Sequence, residues 1–326
     1  MTPKQRFLTA LKGGIPDDKI ARMELEFHLF KEFLGKEPIC GEEYAKLSKK
    51  EKDIALNENA QMIVEINQIC GLDAIREIGG YWEVAPGVGA YLWLPEEEDQ
   101  INQLKAIKKA AGDEYAIIGT GGGTMSLPDG NSINDFVIDL FEEPEKIHAQ
   151  NERMLTDNAI HEQKLVEAGL VDAIINCGDV AFNSGPFISP DMMDEFFFPY
   201  FNRWVERVHS FGVPAIWHTD GNIMPLMDRV LQSGVDAIQC IDPLASMDIV
   251  ELIKQVEGKL TLIGNLDCSV LQFGPEGDID ALAKRIIENC KDKKGFIFSC
   301  CNVIFKGIPK HHYQSLINAV EKYGSI

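Results

Sequence analysis

The 326-residue sequence contains no apolar run approaching the roughly 20 residues that cross a bilayer. Its first residues, Met1-Thr2-Pro3-Lys4-Gln5-Arg6, carry no apolar stretch of the signal-peptide kind, so a soluble, cytoplasmic protein is the expectation. Basic residues are scarce: 31 Lys+Arg against 51 Asp+Glu leave a net charge of −20, which repels phosphate backbones and anionic lipid. Nucleic-acid and membrane partners are not expected. Low-complexity segments, Ser/Pro/Gly linkers and internal repeats are absent, so 1–326 reads as a single domain. Paired CxxC zinc patterns are missing too, and Gly119-Thr120-Gly121-Gly122-Gly123-Thr124 fits neither GxGxxG nor GxxxxGK[ST]. That glycine run reads as a flexible loop that lets backbone approach a ligand.

Composition is that of a globular chain, 45% hydrophobic and 25% charged. The eight cysteines, in a large acidic protein, are expected as free thiols, several of them filling core space. Short β-branched or apolar runs alternate with longer stretches of helical periodicity. The runs are Lys19 to Leu25, Leu72 to Ile75, Ala116 to Ile118, Val171 to Ile175, Val213 to Trp217, Val235 to Ile238, Leu260 to Ile263 and Phe296 to Phe298. Helices are expected at Glu143 to Ala168, Pro190 to Phe211, Met224 to Gln232, Ser246 to Val256, Asp280 to Asn289 and His311 to Tyr323. Eight such units predict a (β/α)8 TIM barrel, with an open doubly wound sheet as the alternative. The polar stretch from Gly41 to Asn59 reads as extra N-terminal helices outside the barrel.

In a barrel the residues after each strand converge on one mouth. Here they are Glu24 and Glu26, the glycine run, Cys177 to Asn183, His218 to Asn222, Cys240 to Pro243, Asn265 to Cys268, and Ser299 to Asn302. His218-Thr219-Asp220 places imidazole and carboxylate on the same side of extended chain. With a thiolate from Cys301 or Cys300 they make a three-ligand zinc site with an open position. Alternatively, His218 and Asp220 form a hydrogen-bonded pair serving substrate, and the cysteines pack.

Gly185-Pro186-Phe187-Ile188-Ser189-Pro190, His218-Thr219-Asp220-Gly221-Asn222-Ile223, Ile263-Gly264-Asn265-Leu266-Asp267 and Ser299-Cys300-Cys301-Asn302-Val303-Ile304 resemble the uroporphyrinogen decarboxylase superfamily. The resemblance implies a (β/α)8 barrel with its site at the C-terminal mouth. Its decarboxylases carry a Met-Arg-Gln-Ala-Gly-Arg signature. The corresponding segment here, Ala21-Arg22-Met23-Glu24-Leu25-Glu26-Phe27, sets carboxylates where a tetra-acidic porphyrinogen needs cations. The cobalamin-dependent branch, typified by coenzyme M methyltransferases, is more similar; its members hold zinc with an H-x-C pair and a distant Cys.

That branch implies zinc on His218, Asp220 and Cys301, with Cys300 the competing distal ligand and Asp220 in place of a thiolate. The harder set, completed by Glu24 or Glu26, favours an oxygen-binding role and hence a demethylase moving methyl from a small donor such as a methyl ether. Catalytic candidates are His218, Asp220, Asp179, Glu24 and Glu26. Substrate contacts are expected from Asn183, Tyr81, Trp82 and Asn222. No Asp-x-His-x-x-Gly corrinoid segment is present, so cobalamin would come on a partner corrinoid protein. A metal-independent decarboxylase and a non-catalytic methyl-donor or corrinoid binding module are the alternatives. Members of the family include monomers and homodimers.

Overall fold

The computed structural model describes residues 1–77, 94, 96–128, 130 and 132–326. Eight strands lie at the eight apolar runs: β1 (Ala21–Arg22), β2 (Ala74–Arg76), β3 (Ala116–Gly121), β4 (Ala173–Cys177), β5 (Ala215–His218), β6 (Ala237–Cys240), β7 (Thr261–Leu266) and β8 (Phe296–Cys300). Each pairs in parallel with the next from β2 to β8, and β8 returns to pair with β1. The remaining seam is bridged by Asp73 N donating to Arg22 O at 2.9 Å. The result is a nearly closed (β/α)8 barrel. A doubly wound sheet needs a reversal of strand order, which this sheet lacks.

Helices surround the strands. Lys49–Cys70 crosses from β1 to β2, so the latter part of the polar Gly41–Asn59 stretch belongs to the outer ring, while Phe30–Leu34 and Gly41–Ala45 are the additional helices. Two expected helices differ in detail. Pro190 to Phe211 is split into Pro190–Phe196 and Phe198–Ser210, because Pro199 lacks an N–H to continue the first and suits the first turn of the second. Ser246 to Val256 starts only at Ile249, where Asp248 caps the Val250 N–H. The aromatic stripe is core: Phe201 packs at a tilt against Trp217 of β5 with ring centroids 4.9 Å apart. No helix among the described residues is long and apolar enough to cross a membrane.

Alternate strand residues fill the barrel. Ala21, Met23, Ala74, Ala116, Ile118, Ala173, Ile175, Ile216, Ala237, Ile263 and Ile297 form one buried cluster with Phe7, Ala10 and Leu11 of the helix Pro3–Leu11, which closes the N-terminal end. Thr261 Oγ1 secures that plug by donating to Ala10 O and Leu11 O. Two residues further along six of the strands the same inward parity becomes polar: Arg76, Cys177, His218, Gln239, Asn265 and Ser299. This change from apolar floor to polar rim positions the site.

Candidate metal centre

His218 ends β5 and lies directly beside Gln239 of β6 in the parallel register. Gln239 Nε2 donates to the carbonyls of Cys300 and Cys301, at 3.2 and 3.3 Å. Its Oε1 is thereby turned to accept the Nδ1–H of His218. That contact turns Nε2 toward the mouth, the orientation of histidines that ligate metals. Facing Nε2 are Asp220 Oδ1 at 3.8 Å and Asp179 Oδ1 at 4.0 Å.

The loop after β5 holds this geometry. Asp220 N donates to Asp179 Oδ1 at 2.8 Å, and Asn302 Nδ2 donates to Asp220 Oδ2 at 2.7 Å. Gly221 takes φ +86°, and a Cβ there would stand 2.3 Å from Ala181 O, so only glycine fits the turn. Its N–H donates to Asp242 Oδ2. Asp220 Oδ1 is shut off from solvent and makes no hydrogen bond. Burial pushes the Asp220 carboxyl above its ordinary range, against the pull of His218.

One potential ligand atom from each of Asp179, His218 and Asp220 lies within 4.8 Å of the others. An orphaned carboxylate oxygen, an imidazole nitrogen turned toward it and a second carboxylate fit a divalent cation, whose charge two carboxylates would neutralise. Asp179, read from sequence as a catalytic residue, thus joins the His-x-Asp pair.

Other candidates lie elsewhere. Cys301 is not a member of that group; its Sγ lies 3.8 Å from Cys268 Sγ. Cys300 and Glu24 have the opposite strand parity and are buried behind the wall. Glu24 accepts from Cys300 N at 3.0 Å and from Tyr313 OH at 3.0 Å, on the helix Lys310–Tyr323. Burial raises its carboxyl pKa and pushes that of Cys300 to about 12. Arg22 also turns outward, donating to Cys70 O.

Glu26 is at the rim, tied to Arg76 Nη1 and His28 Nε2, each at 3.0 Å. Arg76 Nη2 also reaches Cys177 Sγ at 3.4 Å. Asn183 is exposed in the turn of a small antiparallel hairpin, Ala181–Phe182 with Gly185–Pro186. Asn222 Oδ1 accepts from Met224 N and so caps the following turn. Tyr81 and Trp82 lie outside the described residues.

The glycine run serves packing: a Cβ on Gly121 would sit 2.3 Å from Ile174, and one on Gly123 2.7 Å from the Leu155 backbone. The run lets the helix Pro144–Glu167 approach β3, with Glu162 accepting from Gly122 N. Sequence reasoning passed over Gln239 and Arg76, and named Asn302 only as the end of the mouth segment Ser299 to Asn302. A polar residue inside the apolar run of β6 is the signal that could have found Gln239.

A family model described as uroporphyrinogen decarboxylase (URO-D) matches residues 98–323. The chain is 28% identical over 232 residues to a uroporphyrinogen decarboxylase of Anaeromyxobacter dehalogenans, covering 69% of this chain and 63% of that relative. It is 26% identical over 231 residues to that of Anaeromyxobacter sp. strain Fw109-5, covering 68% and 63%. The matched stretch thus spans less than two thirds of either relative. Among solved structures, a methyltransferase from Methanosarcina mazei superposes with a TM-score of 0.73 at 18% identity, covering 99% of both chains.

Proposed function

We propose, from the premise that this chain belongs to the uroporphyrinogen decarboxylase family, that it is a metal-dependent methyltransferase which demethylates a small donor. The observation that carries this reading is the unpartnered Asp220 Oδ1 facing His218 Nε2 at 3.8 Å, with Asp179 beside it. His218, Asp220 and Asp179 would hold the ion. Zinc bound there would supply Lewis acidity toward an ether oxygen or similar leaving group. The methyl acceptor in this reading is a reduced corrinoid on a partner protein docked over the mouth.

The chain's own residues prepare the site. Gln239 sets the imidazole tautomer, Asn302 fixes the Asp220 carboxylate, and the Asp220 N–H orients Asp179. Glu26, Arg76 and His28 form a rim in which the guanidinium is already committed to a carboxylate. Asn183 and Asn222 mark the donor's approach over the hairpin side. A porphyrinogen bearing several carboxylates would meet Glu26, Asp179, Asp220 and Asp242, a repulsive set. The metal-independent decarboxylase reading rests on the names of the curated relatives.

The test is elemental analysis of chelator-free protein with His218→Ala, Asp220→Asn and Asp179→Asn variants, followed by methyl transfer from candidate ethers to reduced cobalamin. Near-stoichiometric metal lost in each variant, with turnover lost in parallel, is the expected result. Metal-free protein that releases carbon dioxide from a porphyrinogen would replace it with the decarboxylase. Donor binding without turnover would indicate a binding module.

A further inference from the structure

Arg22 is a buried cation with few partners. Its outward parity on β1 places it between the helices Lys49–Cys70 and Lys310–Tyr323, behind the barrel wall, with its side chain only 4% exposed. Nη1 donates to Cys70 O at 2.6 Å, while Nε and Nη2 are shut off from solvent and make no hydrogen bond. The one carboxylate within 4 Å among the described residues, that of Glu24, stands 3.9 Å from Nη2 and already accepts from Cys300 N and Tyr313 OH. Beside Arg22 lies a cavity of about 570 Å³, counting its open side, walled by Ile20, Ile317 and Val320 and edged by Lys19 and Glu321. Two cations against one carboxylate line this hollow, in a chain whose net charge is −20.

We infer that this cavity is a binding site for a small oxyanion, a carboxylate or a phosphate, held by the Nε–Nη2 edge of Arg22 with Lys19 at its entrance. The two unpaired nitrogens are neighbours along one side of the guanidinium plane, and their parallel N–H groups match two oxygens of a carboxylate or a phosphate. They lie beneath the cavity wall, and a single hydrogen bond restrains the side chain, so a small turn of the guanidinium presents that edge to an occupant. A buried charge without its acceptors is costly, and an anion supplies the counter-charge together with two acceptors. A neutral acceptor would satisfy the N–H groups and leave the charge, so the excess of cations selects an anion. The apolar walls of Ile20, Ile317 and Val320 keep the local dielectric low, which strengthens the pairing. The site is separate from the Asp179–His218–Asp220 group, which lies in the mouth.

The inference is independent of the methyltransferase reading and is tested without turnover. Metal-free protein, in a buffer without carboxylate or phosphate, is titrated by isothermal calorimetry with inorganic phosphate and, separately, with acetate. The wild type is compared with Arg22→Met, Lys19→Ala and His218→Ala variants. Binding of at least one of the two anions at one equivalent is expected, and the tighter one tells a tetrahedral from a planar ligand. Arg22→Met should weaken binding on the order of tenfold or more, Lys19→Ala by about 2–5-fold, and His218→Ala not at all. Circular dichroism of each variant establishes that it is folded; Lys19 is exposed, so its variant keeps the test decisive even if Arg22→Met unfolds. Absence of binding by either anion at millimolar concentration overturns the inference. So does binding that Arg22→Met and Lys19→Ala leave unchanged, or that His218→Ala abolishes, since the anion would then sit in the mouth.

Discussion

Gln239 holds His218 from behind: its side-chain oxygen accepts the imidazole Nδ1–H while its amide nitrogen is anchored on the Cys300 and Cys301 carbonyls. The contact joins β5, β6 and β8 and determines which ring nitrogen faces the mouth. Gln239→Leu leaves the ring free to rotate and to change tautomer. Metal affinity should fall by roughly 10–100-fold, as for other outer partners of ligating histidines. Competition with a chromophoric chelator measures this; unchanged affinity would remove Gln239 from the site.

Glu24 should behave as a structural residue. Its buried carboxylate accepts from Cys300 N and Tyr313 OH, and Gln offers one acceptor oxygen where two are used. Glu24→Gln is expected to lose about 1–3 kcal/mol of stability by denaturant unfolding, through one mismatched buried group. Its metal content should equal that of the wild type. Loss of metal in a fully folded variant would restore Glu24 to the centre.

Gly221→Ala should damage stability and metal binding together. The left-handed φ alone costs about 1–3 kcal/mol, and the added Cβ meets Ala181 O at 2.3 Å. Relief of that contact moves the neighbouring Asp220. A lower unfolding midpoint and weaker metal binding are expected from the same sample; an alanine variant matching wild type in both would contradict the turn geometry.

Stability should carry a titration from Asp73. Burial pushes this carboxyl up to about 6, against the pull of its Arg6 partner. Between about pH 4 and that value the folded chain binds a proton that the unfolded chain has released. The group's contribution is therefore fully present below about pH 4 and is lost as pH rises toward 6. Denaturant unfolding of wild type and Asp73→Asn from pH 4 to 7 should show wild-type stability falling relative to the variant, by at most roughly 1.4 kcal/mol per pH unit. A difference that is flat or rises with pH would fail this expectation.

Much of the barrel was legible in local pattern. All eight apolar runs became strands, and the polar residues after them, His218 and Asp220 among them, gathered at one end. The failures were of two kinds. Glu24 and Cys300 were read toward the mouth but face outward, because a barrel strand is apolar on both faces and period two does not say which face is the lumen. Gln239 was passed over and Asn302 was given no role, because their importance lies in lateral neighbours far away in sequence.

The sequence by itself determined the alternation of strand and helix, the family resemblance and the His-x-Asp pair, since these depend on residue type and short spacing. Tertiary structure decided that Asp179 joins that pair while Cys301 lies with other thiols. The reason is register: side chains of adjacent parallel strands meet only once pairing is set, and barrel closure fixes that pairing across the whole chain.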